Sequence, residues 1–148
     1  MSYGGVPLID AVQDGDDNAV LNLILEGADV DKLDKLFGCS ALIKAAEKGH
    51  YTIAKTLLTH GAEVDRKSRK GCTALLIAAQ KGQGEVVRLL LDHGAVIDVR
   101  DRYGRTALIC AAEYEKHELM DFLLEGGADI NAQDNRGNTA LHFLAGKF

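Results

Sequence analysis

The chain has 148 residues, 47% of them hydrophobic and 26% charged, with a formal net charge of −5. This composition excludes a disordered or collagen-like chain, and no apolar run approaches the roughly 18 residues of a membrane-spanning helix. The opening "MSYGGVPL" has neither the basic start nor the apolar centre of a secretory signal, so an intracellular, cytoplasmic protein is expected, with the nucleus as the alternative.

A fixed period runs along the chain. Gly38, Gly71, Gly104 and Gly137 stand 33 residues apart, and Gly61, Gly94 and Gly127 repeat the interval. Such a period marks stacked supersecondary units within one domain, residues 1–148. The expected units cover 5–34, 35–67, 68–100, 101–133 and a half-unit at 134–148. The first, "VPLIDAVQDGDDNAVLNLILEGADVD", lacks the leading loop of the others and is acidic where the next has "KGH", as a solvent-facing cap would be. Gly27 and Gly61 are 34 apart, which puts one inserted residue within "KLDKLFG". In the second unit, "GCSALIKAAEKGH" anticipates the "GCTALLIAAQKGQ" of the third.

The third unit shows the physics. Thr73 is placed to cap a helix over "ALLIAAQK", where Ala78 and Ala79 form a narrow face that lets helices approach. "KGQGE" interrupts the pattern, and "VVRLLLDH" resumes it with an apolar stripe of Val86, Val87, Leu89, Leu90 and Leu91. Gly94 ends this second helix, with His93 beside the last carbonyls. From Ala95 to Tyr103 the chain is polar and irregular, which fits a hairpin-like connection closing at Gly104. Each helix spans about ten residues, below the roughly 12 to 15 that are marginal alone, so stability must come from neighbouring units. In the last half-unit Leu141, Phe143, Leu144 and Phe148 are expected to cover the final helix pair.

The three cysteines read as free thiols. Cys39 and Cys72 occupy equivalent positions on packed elements about 8 to 10 Å apart, beyond the reach of about 7 Å between Cα atoms for a disulfide. Cys110 lies inside "TALICAAE", where a small buried residue is expected, and no Cys or His spacing of a metal site accompanies any of them. His50, His60, His93, His117 and His142 each sit at a turn, a helix end or a first helix, and Ser40 with its matching threonines reads as caps. No catalytic constellation and no cofactor are expected.

These strings carry a resemblance. The tetrapeptides at Ser40, Thr73, Thr106 and Thr139, the Ala-Ala pairs starting at 45, 78 and 111, and the "LLxxGAxxD/N" run resemble the ankyrin repeat from about Val6 to Phe148. The family's proline is replaced by Ala41, Ala74, Ala107 and Ala140, and its histidine survives only as His142. The resemblance implies an all-α solenoid of stacked helix-turn-helix units joined by hairpin-like loops, and a non-enzymatic module or scaffold for protein–protein interaction, expected as a monomer. It also implies binding on the concave surface, through hairpin tips and the exposed side of the inner helices. The corresponding residues are Leu36, Phe37, Lys44, Glu47 and Lys48, then Arg69, Lys70, Ile77, Gln80 and Lys81. They continue with Arg102, Tyr103, Arg105, Cys110, Glu113 and Tyr114, and end with Asn135, Arg136 and Asn138. Asn131 looks like the hairpin asparagine that a 2-oxoglutarate-dependent hydroxylase modifies in some ankyrin proteins.

Charge sharpens the expectation. Segments 66–70, 99–105 and 132–138 hold eight basic and two acidic side chains, a balance of +6 that leaves −11 for the rest of the chain. Stacked units would align these segments on one edge, suited to an acidic, phosphorylated or extended protein partner, with Tyr103, Tyr114, Arg102 and Arg105 as energetic centres. Two alternatives are an RNA or phosphorylated ligand on the same edge, disfavoured by the net acidity and the 5% aromatic content, and a targeting domain belonging to a larger signalling protein, channel or effector.

Overall fold

In the computed structural model, residues 5–146 are described. Nine α-helices and no strand occur among them: α1 (Pro7–Asp14), α2 (Asp17–Leu25), α3 (Ala41–Lys48), α4 (Tyr51–Thr59), α5 (Ala74–Lys81), α6 (Gly84–Asp92), α7 (Ala107–Glu113), α8 (His117–Glu125) and α9 (Ala140–Leu144). The odd-numbered helices stack directly on one another as an inner row, and each even-numbered helix packs beside its predecessor as an outer row. The result is the expected all-α solenoid.

Side-chain caps start the inner helices α3, α5, α7 and α9. Ser40 Oγ, Thr73 Oγ1 and Thr106 Oγ1 accept from the backbone N–H of Ile43, Leu76 and Ile109 at 3.2, 3.3 and 3.3 Å. Each takes up an amide that the first turn leaves without a helical partner. These caps are buried, so losing one would strand a donor away from water. In the last unit the Thr139 N–H donates to His142 Nδ1 at 3.0 Å. The outer helices end differently: His60 Nδ1 lies 2.8 Å from the carbonyl oxygen of Thr56, and His93 Nδ1 lies 2.9 Å from that of Leu89.

The inner helices α3, α5 and α7 are buried almost all round, because each has a neighbour on both sides of the stack. Every residue from Ala41 to Ala46 in α3 is buried, and Ala45, Ala46, Ala78, Ala79 and Ala111 are 0% exposed. Methyl-sized side chains there let the inner helices approach, while Leu57, Leu90 and Leu123 fill the space towards the outer row.

Two expectations change. Leu141 and Leu144 cover the final helix pair only in part: they are 58% and 44% exposed and border a hollow of about 200 Å³ with His117, Met120 and Leu124 of α8, while the five-residue α9 docks on α7 through Ala140 and Phe143. Phe148 lies outside the described residues. Cys110, counted among the surface positions, is 1% exposed on the buried side of α7.

A third left-handed position escaped the sequence reading. After each inner helix the chain adopts positive φ, at Gly15, Gly49 and Gly82, but the fourth such residue is Glu115 with φ 57°. An L side chain there costs about 1 to 2 kcal/mol, so Glu115→Gly should raise the unfolding free energy by about 1 kcal/mol. Gly71 (φ 72°) is the opposite case, since an added Cβ would lie 3.0 Å from the backbone nitrogen of Arg102. Gly71→Ala should therefore cost about 2 kcal/mol or more. Urea unfolding of both variants checks the pair, and unchanged midpoints would refute the assignment.

Candidate functional site

The loops between repeats are closed by backbone bonds, from the N–H groups of Asp34, Ser68, Asp101 and Asp134 to the carbonyls of Cys39, Cys72, Arg105 and Asn138. In three of them an aspartate carboxylate organises the tip. Asp34 Oδ1 accepts from the N–H groups of Phe37 and Gly38, Asp101 Oδ1 from Tyr103 and Arg105, and Asp134 Oδ1 from Arg136 and Asn138. The first loop closes one residue wider than the others, so the inserted residue sits at its tip and lifts Leu36 and Phe37 outward, 57% and 56% exposed.

Neighbouring tips are laced together. The N–H groups of Arg69, Arg102 and Asn135 donate to the carbonyls of Phe37, Lys70 and Tyr103 in the preceding loop, at 3.2, 3.4 and 2.9 Å. Long side chains add to this: Lys67 Nζ donates to the Arg100 carbonyl at 3.2 Å, and Arg100 Nη1 to that of Gln133 at 2.7 Å. The tips form one continuous edge.

Between this edge and α3 and α5 lies a groove of about 580 Å³. Leu36, Phe37, Ile43 and Ile77 make one end apolar, and Arg69, Lys70, Arg102 and Tyr103 make the other cationic and aromatic. A second hollow of about 300 Å³ continues past Tyr103 to Glu113, Asn135, Arg136 and Phe143. Tyr103, 47% exposed, holds the guanidinium carbons of Arg102 and Arg105 5.0 and 5.3 Å from its ring centre, and Arg102 Nη2 donates to its hydroxyl at 2.9 Å.

The structure divides the basic residues into two groups. Arg105 Nε meets Asp101 Oδ2, and its Nη1 meets Glu113 Oε2, both at 2.9 Å. Burial alone would lower the Arg105 pKa, but the neighbouring Cys110 and the bonds to Asp101 and Glu113 outweigh it and hold the guanidinium above its ordinary range. Arg66 pairs with Glu63 at 3.0 Å. Lys44 is buried, with Nζ 3.4 Å from Glu47 and 5.6 Å from the Phe37 ring centre. Arg69, Lys70, Arg102 and Arg136 make no ion pair among the described residues. Gln80 lines the groove and donates to the Tyr114 hydroxyl at 2.8 Å, while Lys81 is exposed at the end of α5 outside it. Asn131 is exposed in the turn before the fourth loop, its N–H donating to Asp129 Oδ1 at 2.9 Å.

A model of ankyrin repeats matches the chain twice, over residues 8–101 and 97–147. The chain belongs to the ankyrin repeat family. Ankyrin repeats are, as a rule, non-catalytic modules that mediate protein–protein interaction. Among curated proteins, the chain is 38% identical over 68 residues to an ankyrin repeat-containing protein of Treponema pallidum (strain Nichols), covering 45% of this chain and 23% of the relative. It is also 38% identical over 64 residues to the 2-5A-dependent ribonuclease of Mus musculus (43% of this chain, 9% of the relative). The B-cell lymphoma 3 protein homolog of Mus musculus matches at 38% over 71 residues (47% and 16%). The matched segments thus span less than a quarter of each relative. No helix among the described residues is long and apolar enough to cross a membrane.

Three thiols line or underlie the ankyrin groove. Burial raises the pKa of all three, Cys72 to about 11 and Cys110 to about 12. The unfolded chain ionises these thiols near 9.0, so the folded state holds more protons above that pH and loses stability as pH rises from about 9 to about 11. Cys110→Ala should flatten this alkaline slope. At pH 8, iodoacetamide should alkylate all three more slowly than a free cysteine peptide and Cys110 slowest; peptide-mapped mass spectrometry reads the order.

Proposed function

We propose that the groove binds an extended, acidic or phosphorylated segment of a partner protein. The observation that carries this reading is the juxtaposition of exposed Phe37 and Tyr103 with four cations, Arg69, Lys70, Arg102 and Arg136, that lack an acidic partner among the described residues. Aromatic and arginine side chains dominate interface energetics because they bury large area with few rotamers and bind carboxylates or phosphates in planar geometry. Phe37 offers an apolar anchor, and the cations of the next two tips would meet acidic side chains that follow it along an extended chain. Arg105 acts here as a support: it holds the Asp101 loop and the Tyr103 ring, and its charge is already balanced.

Affinity capture with the wild-type chain and with a variant carrying Arg69→Glu, Lys70→Glu, Arg102→Glu and Tyr103→Ala tests this. All four side chains are exposed, so the variant should keep its circular dichroism melt within a few degrees. The expected result is a partner bound at least tenfold more weakly by the variant. The same partners held with equal affinity would sink the reading. Binding destroyed by ribonuclease, and falling by orders of magnitude between about 50 and 200 mM salt, would assign the edge to RNA instead. Stability separates the two classes of arginine: Arg105→Ala should cost about 2 kcal/mol because it leaves the buried Asp101 carboxylate without its countercharge, whereas Arg102→Ala should cost under about 0.5 kcal/mol.

A further inference from the structure

A hollow larger than the concave groove lies on the opposite face. It measures about 830 Å³ and runs across the outer helices α4, α6 and α8. Its apolar lining comes from Tyr51, Leu89, Leu119 and Phe122, and its rim carries Glu85, Asp92 and Glu118. None of these three carboxylates forms an ion pair or a side-chain hydrogen bond among the described residues. Among the lining residues the cation is Arg88, which lies over the Phe122 ring with its guanidinium carbon 4.8 Å from the centroid, and the Lys116 side chain lies against Gly82 at the edge of the groove.

Gly84 opens this groove. It is the first residue of α6, at the position that Tyr51 holds in α4 and His117 in α8. Nothing in the fold requires glycine there: its φ is not in the left-handed region, and a Cβ would meet open space. Glycine is the poorest helix former after proline, so it weakens the start of α6 without relieving any clash. What it does is leave an unfilled space between Tyr51 and Phe122.

We propose that this outer groove is a second docking surface, for a basic amphipathic segment of another protein. A large apolar side chain would enter the space at Gly84, and lysine or arginine side chains flanking it would meet Glu85, Asp92 and Glu118. Charge complementarity sets the sign of the occupant: three carboxylates without an ion pair stand against the Arg88 guanidinium, engaged with an aromatic ring, and Lys116 at the edge, which leaves the groove net acidic. The two faces would then take partners of opposite charge, which fits a chain whose tip segments sum to +6 and whose remainder sums to −11. The surface is separate from the concave groove and does not depend on the function proposed there.

Gly84→Gln supplies the test, because it fills the groove while replacing a poor helix former with a better one. Its melting temperature should equal or exceed the wild type's. A random 12-residue peptide library displayed on phage is selected on the wild-type chain and depleted on Gly84→Gln. The surviving pool should be rich in lysine or arginine with leucine or phenylalanine, and should bind Gly84→Gln and a Glu85→Gln, Glu118→Gln variant at least tenfold more weakly. The fourfold hairpin variant should bind it as well as wild type. A pool that binds wild type and Gly84→Gln equally, that is neutral or acidic, or that cannot be enriched overturns the proposal. Dimerisation of the wild-type chain in sedimentation, abolished by Gly84→Gln, also overturns it, since the occupant would then be a second copy.

Discussion

The constraint on which everything else depends is that no helix pair of this chain can bury its own apolar surface. The helices are five to nine residues long, below the length at which a helix is stable alone in water. An inner helix such as α3 is apolar on nearly every side, so it needs a neighbour above and below as well as an outer helix beside it. Stacking is therefore a condition of folding, and it fixes the geometry: identical neighbours at a constant interval force the tips into one line. The row of charge along that line follows from the core.

Along this line the same residue types do two different jobs. Arg105 sits among Asp101, Glu113 and the Tyr103 ring, where its charge is balanced and its loss would leave a buried carboxylate alone. Arg102, three residues earlier, also lies against this ring and makes no ion pair among the described residues. Lys67 and Arg100 lie between these extremes, donating to carbonyls of the next loop and so joining tips while keeping their charge at the surface. A positive edge of this kind is rigid, because its backbone is laced tip to tip, and rigidity lowers the entropy lost when a partner binds.

The two faces differ because the two rows of helices differ. Twin alanines draw the inner helices together, and the hairpin tips then close over them to leave a groove with a cationic end. The outer helices meet less closely, and where α6 begins with glycine the surface opens into a hollow with carboxylates on its rim.

The sequence by itself determined the repeat, the helix pairs, the caps and the place of the inserted residue, because each depends on nearest neighbours in the chain or on a fixed period. Thr73 before an apolar run is a cap wherever it occurs, and a glycine every 33 residues is visible without coordinates. The resemblance to ankyrin repeats carried by these strings also pointed to residues that line the concave groove, among them Leu36, Phe37, Arg69 and Tyr103. Tertiary structure decided which charges are free. Arg102 and Arg105 look alike in "DRYGRT", yet only the fold brings Glu113 to one of them. The left-handed Glu115 was hidden because its glycine equivalents, Gly15, Gly49 and Gly82, have no glycine at the fourth position to complete a series. The hollow at Gly84 was hidden too, since an absent side chain means nothing until the helices on either side show what space it leaves.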